Sequence, residues 1–232
     1  MTKRLLSLAL GACAPATISA ATFTVTNLAD GAATVGSLRW ATEQANLTPN
    51  NAGNPVDVVE FDPVFFNVAR TITLGQELHL SGPTEVRGPG AGLLTISGSD
   101  SVRALSVGAG GNVDLEEVTI TNGRSSAGPA SAGTGPEGGG IRNAGTLRLR
   151  GVVVTGNIAD QGNFSQYPSG YGGGIFNAGT LTITDSTISG NKALPREATA
   201  PPQQAEAQGG GIYNALGGDL TVVNCVISDN LG

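Results

Sequence analysis

The sequence predicts an all-β protein: a single-stranded right-handed parallel β-helix, a solenoid of stacked coils with a short N-terminal capping helix. Three observations predict it. A glycine-triplet motif recurs as Gly138-Gly139-Gly140-Ile141-Arg142-Asn143, Gly172-Gly173-Gly174-Ile175-Phe176-Asn177 and Gly209-Gly210-Gly211-Ile212-Tyr213-Asn214. Each copy leads into two short segments with apolar residues at every second position, as in Leu181-Thr182-Ile183-Thr184 and Ser186-Thr187-Ile188-Ser189. A Thr-Ile-Thr-like signature centred on Ile72, Ile96 and Ile120 repeats every 24 residues and returns at Val154, Ile188 and Ile227.

Period-two alternation marks strands with one buried face. Leu181, Ile183, Ser186 and Ile188 then share a side, and the two strands flank a corner at Asp185. A strand pair cannot bury its apolar side alone. Stacked copies do so, and each strand pairs with the coils above and below. Six coils from Ile72 onward would make a rod on the order of 30 Å long. The later repeats exceed 24 residues, and the excess maps to 124–137, 160–171 and 194–208. These segments are rich in Gly, Pro, Ser, Ala and Gln and read as loops leaving one edge of the stack.

Aligned copies place Asn143, Asn177 and Asn214 at one position and Asn157, Asn191 and Asn230 at another. Inward-facing asparagines at corners can bond each other from coil to coil, so two structural ladders are expected. The same alignment stacks Asp114 on Arg148 and Glu116 on Arg150, as outward cross-strand ion pairs.

Composition narrows the function. Charged residues are 13% of the chain, the net charge is -6, and the two lysines are Lys3 and Lys192. Without clustered cations, no nucleic-acid partner is expected. No apolar run reaches spanning length, so no transmembrane segment is expected. Residues 1–20 read as an export leader: Lys3 and Arg4, then a short apolar run from Leu5 to Leu10, then Ile18-Ser19-Ala20-Ala21 as a small-residue cleavage region. Cleavage there starts the mature chain near Ala21 or Thr22. Leu10-Gly11-Ala12-Cys13 also resembles a lipobox, which makes Cys13 a lipidation candidate and offers membrane attachment without a span. Residues 21–69 form an N-terminal strand and capping-helix region, and 70–232 the β-helix repeats.

No cofactor, metal site or catalytic residue is expected. His79 stands alone in Leu78-His79-Leu80 and reads as an outward strand residue. Cys225 aligns with Ser186 and reads as a small core residue, with a reactive or intermolecular thiol as the other possibility. Polysaccharide lyases and hydrolases of pectate-lyase-like fold need acids gathered on one face. Asp160, Asp185, Asp219 and Asp229 are the candidates, but their aligned positions do not converge.

Near the N-terminus, Ser37 is a good N-cap, and Leu38, Ala41 and Ala45 make an apolar stripe for a helix over the end of the stack. Val56 to Phe61 reads as the next strand. Gly-Ser-Leu-Arg-Trp-Ala-x-x-x-Ala-Asn at 36–46, with Val59-Glu60-Phe61-Asp62-Pro63 and the glycine-rich corner Arg87 to Gly92, resembles bacterial surface β-helix proteins with the CSLREA-type domain. The Gly-Gly-Gly-Ile-x-Asn and Ile-Ser-Gly-Asn motifs are similar to repeats of polymorphic outer-membrane proteins. The leading Cys of the name-giving motif is Gly36 here and its Glu is Trp40, so no role of those groups carries over. The resemblance implies an exported or surface location and no catalytic residues; some polymorphic membrane proteins are adhesins.

Three readings follow. The first is a non-enzymatic exported surface protein presenting loops for adhesion or recognition, with a cell-surface glycan or protein as partner. The second is a carbohydrate-active enzyme of the same fold. The third is a structural spacer from a longer surface protein, since Gly232 directly follows the last repeat without a cap.

Overall fold

A computed structural model of the chain describes residues 20–48, 56–126, 136–160, 169–195 and 206–232. The leader through Ser19, with Cys13, lies outside the described residues, as do the centres of the three long inter-repeat segments.

The described residues are all-β apart from one helix, and the strand pairs are parallel. A seven-stranded sheet holds Thr22–Val25, Asp57–Phe61, Pro83–Arg87, Asn112–Glu116, Thr146–Arg150, Thr180–Thr184 and Asp219–Val223, in that spatial order. A six-stranded sheet holds the Thr-Ile-Thr signatures, with Ile72, Ile96, Ile120, Val154, Ile188 and Ile227 in one register column. A five-stranded sheet runs from Leu78–Leu80 through Leu105–Val107, Ile141–Asn143 and Ile175–Asn177 to Ile212–Asn214. From Ile141 onward the chain visits these sheets, and two smaller ones, in a fixed cyclic order.

The smaller sheets correct the reading of 124–137, 160–171 and 194–208 as loops throughout. Arg124–Ser126, Ile158–Asp160 and Lys192–Leu194 form a three-stranded sheet, and Ser169–Tyr171 pairs with Glu206–Gln208. Three-residue strands bordered by glycine and polar residues are too short for alternation to register. In the five-stranded sheet Leu78–Leu80 is legible from its alternation, whereas the three-residue strands that follow each glycine triplet escape for the same reason.

Alternation works as burial logic. In Thr146–Arg150, Leu147 and Leu149 are buried while Arg148 and Arg150 face water. Their column-mates Val113, Leu115, Leu181 and Ile183 are buried too. Each such Leu or Ile stabilises the stack by roughly 2 kcal/mol relative to exposure. Val226–Ser228 is an edge strand with a neighbour on one side only, so Ile227 is 52% exposed where Ile188 is fully buried. On the outer face, Glu60, Arg87, Glu116 and Arg150 alternate in sign along one column. The hydrogen bond and charge of Glu85 push the exposed Arg87 guanidinium above its ordinary range. Arg148 meets Asp114 at 3.0 Å, and Arg150 meets Glu116. Pairs this exposed contribute a few tenths of a kcal/mol, about the value of other surface pairs.

Corners form columns of their own. Glu117, Gly151, Asp185 and Asn224 all take positive φ at one corner, and Asn122, Gly156, Gly190 and Asp229 at the next. Left-handed backbone favours Gly, Asn and Asp, which accounts for most of these identities. At the second corner Asn157 Nδ2 donates to Asn191 Oδ1 (2.9 Å), and Asn191 Nδ2 to Asn230 Oδ1 (2.9 Å). The parallel column runs from Asn143 Nδ2 to Asn177 Oδ1 (2.8 Å) and from Asn177 Nδ2 to Asn214 Oδ1 (2.6 Å). Asn143, Asn157, Asn177 and Asn191 are completely buried.

The glycine triplet allows backbone segments to approach closely. A Cβ on Gly173 would lie 2.3 Å from the Lys192 carbonyl carbon and 2.4 Å from the Gly210 oxygen, both backbone atoms that cannot rotate away. Gly173→Ala should therefore cost about 3 kcal/mol, the upper range for overpacking. Gly92→Ala, where a Cβ meets nothing within 4 Å, should leave the urea midpoint unchanged. Equal midpoints for the two variants would contradict this account.

The helix runs Leu38–Leu47, with Ser37 Oγ accepting from Trp40 N at 3.1 Å. Leu38, Ala41 and Ala45 are buried, and Trp40 packs edge-on to Phe23 at 5.9 Å. Polar groups of the helix close the free edge of Leu78–Leu80. Asn46 donates to His79 O (2.6 Å) and accepts from Ser81 N (2.9 Å), so a side chain takes the place of a neighbouring strand. Arg39 binds Asp30 at 2.7 and 3.1 Å and donates to the carbonyls of Gln76 and Glu77.

Candidate functional site

The side-chain chemistry of the described surface concentrates on the outer face of the five-stranded sheet. Its register aligns His79, Ser106, Arg142, Phe176 and Tyr213 in one column. The last three occupy the one variable place in Gly-Gly-Gly-Ile-x-Asn. The invariant residues of that motif build corners and core, and its variable residue lies on the outer side, half-buried at Arg142 and Tyr213 and buried at Phe176, which is 6% exposed beneath its neighbours. That was the signal in the sequence for this site, and the reading of the motif as a fold signal alone missed it.

The column has an aromatic half and a polar half. Phe176 and Tyr213 stack nearly parallel, with centroids 5.6 Å apart, and Tyr171 leans on Tyr213 at 4.8 Å. The Arg142 guanidinium lies 5.9 Å from the Phe176 ring centroid, and its Nε meets Glu137 Oε2 at 2.8 Å. In the polar half, Ser106 Oγ donates to Glu77 Oε1 and sits 2.9 Å from His79 Nδ1. Arg103 pairs with Glu77 and donates to the Glu137 and Gly138 carbonyls, tying the halves together. A cleft of about 420 Å³ adjoins this half, lined by residues 75–77, 101–103 and 124–126.

His79 is exposed and outward-facing. The serine stands between histidine and glutamate, whereas a hydrolytic triad needs the histidine in the middle. Ser106 is also only 4% exposed and spends its proton on Glu77. This cluster binds the sheet edge; its order does not activate a nucleophile.

The four candidate acids are placed apart. Asp160 ends a strand of the three-stranded sheet and pairs with Arg124. Asp185 and Asp229 hold left-handed corners, and Asp185 accepts from Asn224. Asp219 opens the last strand of the seven-stranded sheet. Two of the four thus have a backbone reason for being Asp. Cys225 is half-buried rather than buried, packs against the core beneath Ser186, and has its Sγ 3.1 Å from the Val223 carbonyl.

Compared with known proteins, the chain matches no family model, no curated protein and no solved structure. Fold and site define its class at one level: an all-β protein of parallel sheets that bring Arg142, Phe176 and Tyr213 into one register column.

Proposed function

We propose that this chain is an exported, non-enzymatic surface protein. In this reading it is a right-handed parallel β-helix whose rigid stack presents loops and one side face for adhesion or recognition. One observation carries it. The three long inter-repeat segments leave and rejoin the stack at aligned positions. Ser126 and Asp160 and then Asp160 and Leu194 are register partners on one side, and Glu137, Tyr171 and Gln208 on the other. The described ends of three successive segments thus line up at one edge, beside the Arg142–Phe176–Tyr213 column.

The right hand follows from the general rule for parallel crossovers, applied to the cyclic order of parallel sheets. Export rests on the leader pattern of residues 1–20, and kinship with CSLREA-type surface proteins on the motifs at 36–46 and 59–63. The partner is a glycan or protein of a neighbouring cell surface. Aromatic faces stack on sugar rings or apolar side chains, and a planar guanidinium bonds hydroxyls and carboxylates.

The test replaces residues 196–205 with a short Gly-Ser link, which spares the flanking strands, and separately makes Arg142→Ala. Both variants are probed against glycan arrays and intact cells. Binding should fall roughly tenfold or more in at least one, the scale of a hot-spot loss. Binding unchanged in both overturns the reading, and release of reducing or unsaturated ends from a polysaccharide overturns its non-enzymatic part.

A further inference from the structure

One buried group is unexplained by the recognition face. In the seven-stranded sheet the inward column reads Asp57, Thr84, Val113, Leu147, Leu181, Leu220. A carboxylate therefore occupies a core position. Asp57 is completely buried; its Oδ1 accepts one bond, from Ala21 N at 2.9 Å, and its Oδ2 has no partner. A buried carboxylate with one neutral donor and a vacant oxygen is costly, and such a group calls for a cation. Arg and Lys are absent from that column, and the single donor is a backbone nitrogen at the margin of the leader.

We propose that Ala21 is the mature N-terminus and that its α-ammonium, at a half-buried residue, forms an ion pair with the buried Asp57. Hydrolysis of the Ala20–Ala21 peptide bond adds one water: Ala20 leaves with a carboxylate and Ala21 gains an ammonium. The amide N–H already aimed at Oδ1 becomes a cation with three donors, enough for Oδ1 and the vacant Oδ2. Processing thus converts a poorly satisfied buried acid into a paired one, and the exported chain becomes more stable than its precursor. The inference rests on the export reading above and sharpens it.

The structure also chooses between two cuts. The small-residue pattern suits cleavage after Ala21, with Ser19 three positions back. That cut would remove the Ala21 carbonyl, which accepts from Val58 N at 2.8 Å, and would strip Asp57 of its one donor. Cleavage after Ala20 keeps the strand bond and supplies the charge. Lipidation at Cys13 would leave Ala21 an internal amide.

The experiment has two arms. In the first, the exported protein is isolated and its N-terminus read by mass spectrometry. Ala21 is expected; Thr22, Cys13 or Met1 overturns the assigned cut and, for Met1, the export reading as well. In the second, a fusion is cleaved to leave Ala21 first, and compared with a chain carrying Gly-Ser before Ala21, each with and without Asp57→Asn. The free-ammonium chain should melt on the order of 10 °C above the extended one, the scale of a broken buried pair in a domain this size. Asp57→Asn should erase most of that difference. Equal melting of the two Asp57 chains, or an equal Asp57→Asn loss in both backgrounds, overturns the ion pair whatever the first arm returns. Should Asp57→Asn fail to fold in the free-ammonium chain, the comparison of the two Asp57 chains decides alone.

Discussion

Replacing Asn191 with alanine is expected to destabilise the protein by roughly 2–4 kcal/mol, as judged from one orphaned buried N–H, that of Asn157, at about 1–3 kcal/mol and about 1 kcal/mol for the further bonds lost. Asn191 is the middle rung of its ladder. Its Oδ1 accepts from both the backbone N (3.0 Å) and the Nδ2 (2.9 Å) of Asn157. Its Nδ2 donates to Asn230 Oδ1 and to Val154 O, each at 2.9 Å. Alanine fills neither role, and buried groups of Asn157 and Val154 lose a partner where water cannot replace it. Asn230 accepts from Asn191 N and Nδ2 and donates to Ile188 O, but it is half-buried at the end of the ladder, where water can reach the released groups. The same substitution there should cost less, about 1–2 kcal/mol. Urea unfolding of the two variants checks the ranking. Similar midpoints would mean that the ladder is decoration on a stack held by apolar burial alone.

Arg39→Lys should be nearly as damaging as Arg39→Ala, at about 3–5 kcal/mol, the cost of breaking a buried ion pair by removing one partner. The guanidinium spans Asp30 on one side and the carbonyls of Gln76 and Glu77 on the other, with its side chain 10% exposed and that of Asp30 11%. A lysine ammonium is a point donor and cannot bridge both sides with a planar fork. Asp30 Oδ2 also accepts from Gly75 N, so losing the clamp frees the turn before Leu78–Leu80 as well. Thermal melting should fall by on the order of 10 °C. Exposure of that strand edge should also promote association, visible by light scattering. A fall below about 2 °C in Arg39→Lys, under 1 kcal/mol for a chain of this length, would show that charge without the fork suffices.

Much of this architecture was legible before any coordinates. Ile72, Ile96, Ile120, Val154, Ile188 and Ile227 announce one column because a strand's burial pattern is local, and identical coils repeat it. Ser37, Leu38, Ala41 and Ala45 announce the helix through capping and a 3.6-residue stripe. The three-residue strands at 124–126, 158–160 and 192–194 were not legible, since the one buried residue of each is small, Ser125, Ala159 and Ala193, and gives no apolar signal.

The recognition column and the Asp57 site belong to a different order of information. Arg142, Phe176 and Tyr213 lie 34 or more residues apart and meet only when their parallel strands pair in register. Asp57 meets Ala21 across a segment with no repeat in it. Composition, periodicity and spacing specify which residues turn inward, because that depends on neighbours in the chain. Which side chains touch depends on register between coils, and register is settled by core packing, corner glycines and asparagine ladders acting together across the stack.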